Sequence, residues 1–148
     1  MNPKVSITKT FEFESCHKLV DYVGKCANLH GHSYKLEVTI TDSIDFNSSM
    51  VMDFKKLKKI VGYSVIEVLD HKNLNTVLPN LRKTTAESII IWIAYQLRTK
   101  GKIPVTFLRL FETSTSYVTY FVGENKSLIE DYKFILKESK DPSQTEMF

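Results

Sequence analysis

From Val5 to His17 the odd positions are Val5, Ile7, Lys9, Phe11, Phe13, Ser15 and His17, and the even ones between Lys4 and Cys16 are Ser6, Thr8, Thr10, Glu12 and Glu14. A period of two with one apolar face predicts a half-buried strand. Residues 18–29 lose the alternation and carry Gly24 and Asn28, which reads as a loop. The alternation returns with His30, His32, Tyr34, Leu36, Val38 and Ile40 on one face, against Gly31, Ser33, Lys35, Glu37, Thr39 and Thr41 on the other. Turn formers cluster from Asp42 to Ser49, so the two strands form a hairpin or meander.

Past Asp53 the period lengthens. Phe54, Leu57, Ile60, Val61, Val65 and Val68 recur at helical spacing, and Lys55, Lys56, Lys58 and Lys59 fill the other side as a solvated face. A loop from Asp70 to Lys83 leads into Thr84-Thr85-Ala86-Glu87, which fits a capping box with the Thr84 hydroxyl on the amide of Glu87. That box opens a second helix running to about Arg98 and ending near Gly101. Ile103 to Thr113 and Ser116 to Val122 read as two more strands joined by a tight turn. In the tail, Leu128, Ile129, Tyr132, Phe134, Ile135 and Leu136 predict a helix before a polar, loose end at Asp141-Pro142-Ser143. The expected order is strand, strand, helix, helix, strand, strand, with no internal repeat.

Composition narrows the class. A length of 148 residues, 43% of them hydrophobic and 25% charged, suits one globular domain with one core. The net charge of +3 is too small to argue for nucleic acid and suits an anionic small molecule equally well. Cys16 and Cys26 are the only cysteines, and no N-terminal apolar stretch resembles a signal peptide, so a cytoplasmic protein with reduced thiols is expected. No window approaches the roughly 18 apolar residues of a membrane span.

The chemistry gathers around the second strand. Residues two apart on a strand point the same way, which sets the His30 and His32 side chains roughly 7 Å apart on one face. His17 continues the apolar face of its own strand, so pairing of the two strands can bring three imidazoles together. A lone histidine is more often a hydrogen-bonded core residue, whereas H-x-H with a third histidine on a compatible face favours a metal. Three imidazoles without a fourth protein ligand make an open, catalytic type of zinc site. Gly31, with no Cβ, leaves room for a ligand or neighbouring chain. Cys26, beside Lys25, is either a fourth ligand, which would close the site, or a thiolate able to take a proton from carbon. Cys16 falls on the opposite strand face from His17. In Asp70-His71 the carboxylate can orient the imidazole for proton transfer, although a histidine at a helix end also simply complements the dipole. Glu112 at the end of its strand is either idle and exposed or accepts two hydrogen bonds from a heterocycle bearing an amino group and a ring N–H.

Six blocks occur in order: Phe11-x-Phe13-x-x-x-His17, Cys26-x-x-x-His30-Gly31-His32-Ser33-Tyr34, Met50-Val51-Met52-Asp53-Phe54, Leu69-Asp70-His71-x-x-Leu74-Asn75, Thr85-x-Glu87 and Glu112-Thr113. In these the chain resembles the family of 6-pyruvoyl-tetrahydropterin and 6-carboxy-tetrahydropterin synthases over roughly residues 5–124. The resemblance implies an α+β T-fold: an antiparallel four-stranded sheet with two helices on one face, assembled into a homohexamer with sites between subunits. It implies Zn2+ held by His17, His30 and His32, Cys26 as base, and Asp70 with His71 as the proton-relay pair. Glu112 matches the pterin anchor, with backbone groups near Thr85 and Ala86 helping. The implied substrate is 7,8-dihydroneopterin triphosphate. The four-residue step from Cys26 to His30 resembles the carboxy-forming branch, which releases acetaldehyde on the way to 7-deazapurines such as queuosine.

Three departures stand out. Thr84 occupies a place often held by proline, Asn47-Ser48-Ser49 lacks the usual glycine, and residues 125–148 extend past the family core as a separate C-terminal segment. Rival readings are a non-catalytic, zinc-stabilised pterin or purine scaffold and a zinc hydrolase. Neither needs a thiol beside an acid–imidazole pair.

Overall fold

The computed structural model describes residues 1–138, so the polar end at Asp141-Pro142-Ser143 lies outside the described residues. Strands β1 (Lys4–His17) and β2 (His30–Ser43) pair antiparallel along their whole length, from Lys4 opposite Ser43 to His17 opposite His30. β2 also pairs with β4 (Val105–Thr113), which pairs with β5 (Ser116–Phe121). The two-residue strand β3 (Lys72–Asn73) runs parallel to β1, and the sheet order is β3-β1-β2-β4-β5. The expected four-stranded sheet therefore gains a fifth strand. Two residues are too short for a hydrophobic period to declare them.

The alternation decides which face is covered. Phe13, Tyr34, Leu36, Val38, Ile40, Leu108 and Leu110 are buried, while Ser6 and Thr8 meet Thr41 and Thr39 through hydroxyl pairs on the other face. A helix over residues 54–69, α1, is capped by Asp53, whose carboxylate accepts from the amide of Lys55 at 2.7 Å. Its middle, Gly62–Ile66, is π-helical, and the buried Ser64 hydroxyl donates to Ile60 O at 2.5 Å there. Leu57, Ile60, Val61, Val65 and Leu69 face the core, and the four lysines are exposed as anticipated.

The segment read as a loop from Asp70 to Lys83 holds more structure. Besides β3 it contains a single helical turn, α2 (Leu74–Val77), capped by Asn73 through the amide of Asn75 at 3.0 Å. Next comes α3 (Ala86–Thr99), buried on nearly every side by Ile89, Ile90, Trp92, Ile93, Ala94, Tyr95 and Leu97, as suits a central helix. Its cap corrects the sequence reading by one residue. Thr85, not Thr84, accepts from the amide of Ser88 at 3.2 Å, while Thr84 is only 2% exposed and turned into the molecule. The tail helix α4 (Asn125–Ile135) buries Leu128 and Ile135 and lays Tyr132 flat on Tyr95, with ring centroids 3.7 Å apart. Among the described residues no helix is long and apolar enough to cross a membrane.

Candidate metal centre

At one end of the β1–β2 ladder the pairing register faces His17 with His30 and Ser15 with His32. The pattern that turns Phe13 and Tyr34 inward therefore turns all three imidazoles to the same side. Their ligand atoms lie within 4.8 Å of one another, against about 3.4 Å between ligands of a tetrahedral ion, a gap that small ring movements close. Among the described residues they form the one such group of histidine, cysteine and acidic side chains. Cys26 is not a member.

Hydrogen bonds at the back of two rings choose their tautomers. His17 Nδ1 lies 2.7 Å from Thr84 O, and His30 Nδ1 lies 2.7 Å from Asn28 O. A carbonyl only accepts, so each Nδ1 carries the proton and donates, which leaves Nε2 with a free lone pair. His17 Nε2 and His32 Nε2 are buried with no hydrogen-bond partner among the described residues. A buried polar atom left unpaired costs about 1–3 kcal/mol, so two together need a ligand to satisfy them. Burial lowers the pKa of both His17 and His32 from 6.5, against the opposing pull of the Glu112 carboxylate. The downward shifts of His17 and His32, and the Nε2 lone pairs left free on His17 and His30, fit a divalent metal held by this cluster.

Glu112 follows Leu108 and Leu110 on the inward face of β4 and brings Oε1 to 3.6 Å from His32 Nε2, beyond hydrogen-bond range. Its carboxylate stays partly accessible at the rim. Beside it Tyr34 stacks on Phe13, its hydroxyl buried and unpartnered among the described residues. Burial first, then the nearby Glu112, pushes that phenol well above its ordinary pKa.

Asp70 and His71 form the corner after α1. Asp70 Oδ1 accepts from Glu14 N at 2.9 Å and lies 3.0 Å from His71 Nδ1, while His71 N donates to Glu14 O at 2.6 Å. The Glu14 amide, then His71, holds the Asp70 carboxyl below its usual range. His71 adopts φ +57°, a left-handed conformation uncommon outside glycine, and its ring is mostly exposed. A cleft of about 460 Å³ opens between this corner and the face of β1 and β2 opposite the three imidazoles, with Glu14, Cys16, Gly31, His32, Ser33 and His71 among its walls. A Cβ on Gly31 would meet Ser15 O at 3.7 Å, an ordinary contact, so this chain's own packing does not demand glycine there.

The structure brings His17, His30, His32 and Glu112 together and sets His71 on a cleft that His32 also lines. Cys26 lies in a 3-10 turn, Lys25–Ala27, partly buried and unpaired, with Leu19 N donating to its carbonyl at 2.8 Å. It does not line the cleft, and neither do Glu112, Thr85 or Ala86. Thr85 and Ala86 instead begin α3 beside the Thr84 carbonyl that holds His17. The supporting groups escaped the sequence reading because they act mostly through backbone. Asn28 O, Thr84 O and the Glu14 amide carry no side-chain signature. Asn75 was visible only as part of a motif, and its amide clasps Lys18 at both N and O, at 2.9 and 3.0 Å.

Fold and site together define a class: an α+β protein with a three-histidine centre able to take a metal. The chain belongs to the 6-pyruvoyl tetrahydropterin synthase family, whose profile matches residues 6–123. It is 34% identical over 136 residues to a 6-carboxy-5,6,7,8-tetrahydropterin synthase of Haemophilus influenzae, covering 77% of this chain and 96% of that one. It is equally 34% identical over 132 residues to a 6-pyruvoyl tetrahydrobiopterin synthase of Dictyostelium discoideum, covering 81% and 98%. The solved 6-pyruvoyl tetrahydropterin synthase of Caenorhabditis elegans superposes with a TM-score of 0.74 at 26% identity, covering 82% of this chain and 98% of that one. The architecture is thus the expected T-fold, with β3, the single turn α2 and the tail helix α4 added to the four strands and two long helices.

Proposed function

We propose that the chain is a zinc-dependent 6-carboxy-5,6,7,8-tetrahydropterin synthase. It would convert 7,8-dihydroneopterin triphosphate and water to the carboxy-tetrahydropterin, acetaldehyde and triphosphate, in the cytoplasm and within 7-deazapurine synthesis. The carrying observation is the trio of inward-facing imidazoles, two with Nδ1 committed to backbone carbonyls, with the Glu112 carboxylate at their rim.

Zinc bound by His17, His30 and His32 would supply Lewis-acid polarisation of the substrate's side-chain oxygens. Cys26 acts as the base that removes a proton from the adjacent carbon, a role open to a free thiol. Asp70, hydrogen-bonded to His71 Nδ1, leaves the exposed ring free to move protons through Nε2 as triphosphate departs. Glu112 accepts hydrogen bonds from the pterin's amino group and ring N–H, and the amides of Thr85 and Ala86 assist. His71 lines the cleft and Cys26 does not, so in this reading the two complete a site across subunits of a homohexamer.

The four-residue step from Cys26 to His30 favours carboxy over pyruvoyl formation, while the equal similarity to the Dictyostelium pyruvoyl enzyme keeps the latter as the second reading. Incubating the zinc-loaded protein with 7,8-dihydroneopterin triphosphate separates them. Acetaldehyde and carboxy-tetrahydropterin support the first, the pyruvoyl product the second, and no turnover with metal present sinks both in favour of a pterin-binding scaffold.

A further inference from the structure

Beyond residue 123, where the family match ends, α4 does not trail away. After burying Leu128 and Ile135 the chain turns back along the segment that precedes α3. Leu136 bridges antiparallel to Leu81, Arg82 N donates to Ile135 O at 3.0 Å, and Lys137 N donates to Asn80 O at 2.7 Å. The Arg82 side chain adds a second tie. Its Nε donates to Phe134 O at 3.0 Å, and its guanidinium lies 4.8 Å from the centre of the Phe134 ring. A cation bonded to the last carbonyls of a helix is favoured by the helix dipole as well as by the bond.

Two residues after Arg82 comes Thr84, whose carbonyl accepts from His17 Nδ1 at 2.7 Å. Thr84 is 2% exposed, and its hydroxyl contacts are long, 3.4 Å to Lys18 O and 3.5 Å to Asn75 Oδ1. The short bonds that hold the 80–82 stretch come instead from residues 134–137. Outer partners of a ligating histidine set its tautomer and ring orientation.

We propose that residues 134–137 act as a strap on the loop before α3 and that Arg82 is a positioning residue for His17, acting through the Thr84 carbonyl. The C-terminal extension thereby belongs to the metal centre rather than standing apart from it. The inference concerns the His17 ring, and only its consequence for metal affinity rests on the function proposed above.

The test uses the full chain with Arg82→Ala and Arg82→Lys, and follows proton exchange at the two imidazole N–H groups by nitrogen-resolved NMR of the metal-free protein. His30, whose Nδ1 bonds to Asn28 O away from the strap, is the internal reference. Arg82→Ala is expected to speed exchange at His17 at least about tenfold relative to His30, to weaken Zn2+ binding in chelator competition by about tenfold, the low end for outer-sphere partners, and to be rescued largely by Arg82→Lys. Equal acceleration at both histidines, or none at His17, overturns the proposal. If Arg82→Ala is poorly folded, Phe134→Ala weakens the cation–ring tie alone and must still raise the His17 to His30 ratio. Should the wild type hold no zinc while the ratio shifts, the strap stands and the zinc reading fails.

Discussion

At the scale of single residues, three imidazoles gather and the thiol of Cys26 stays apart. His17, His30 and His32 share one face by strand parity, and Cys26 lies outside their group of ligand atoms. If Cys26 is the base, Cys26→Ala will lower kcat by about 10² to 10⁴, the worth of general acid–base catalysis, with zinc content unchanged. Loss of zinc from that variant would make Cys26 a ligand instead. The lowered pKa values of His17 and His32 also set a direction with pH. In the metal-free protein these rings stay neutral below the 6.5 at which they protonate when unfolded, so the unfolded chain binds more protons in that range. Stability to urea should therefore fall as pH drops below about 6.5 and be indifferent to these groups above it. A metal-free protein that gained stability on acidification to pH 5 would contradict the burial of neutral rings.

For the elements, the informative detail is where α3 begins. A Thr-Thr pair before Ala-Glu offers two equivalent cap positions, and sequence spacing to Glu87 pointed to Thr84. Tertiary structure chose Thr85, because Thr84 is drawn inward to set its carbonyl against His17. Replacing Thr85 with Ala should cost about 1 kcal/mol in chemical denaturation, whereas Thr84→Val, which keeps the carbonyl and loses only long hydroxyl contacts, should cost less. The reverse order would restore the original placement. The helix–strand corner follows the same logic. The buried Ser15 hydroxyl donates to Leu69 O, and Glu14 bonds to Asp70 and His71 through its backbone, so one strand carries a histidine of the cluster and also fixes the acid–imidazole pair.

Across the whole molecule, one surface stands unfinished. On the helix-free side of β4 and β5, Phe107, Phe111, Tyr117 and Phe121 gather around Arg109, whose guanidinium lies 4.8 Å from the Tyr117 ring centre and 3.4 Å from Glu37. Phe121 is 79% exposed on a strand that closes one side of the sheet, an arrangement suited to pairing with another copy. If the proposed homohexamer forms through this face, Phe121→Glu is expected to leave a smaller species in sedimentation analysis and to abolish the proposed turnover with it. A monomer that keeps full activity would show that the site is complete in one chain.

Hydrophobic period alone determined β1, β2, β4, β5 and the two long helices, and parity alone placed three histidines on one face. These are local properties, repeated every two or about four residues. Glu112 was legible only as the end of its strand, and its place on the inward face after Leu108 and Leu110 needed the fold. What only the tertiary structure decided rests on contacts between distant segments made largely by backbone atoms: the parallel strand Lys72–Asn73, the left-handed His71 bound to Glu14, the carbonyls of Asn28 and Thr84 behind the imidazoles, and the return of residues 134–137 to Arg82. Every residue carries the same amide and carbonyl, so the sequence marks none of them as partners until folding brings them within reach.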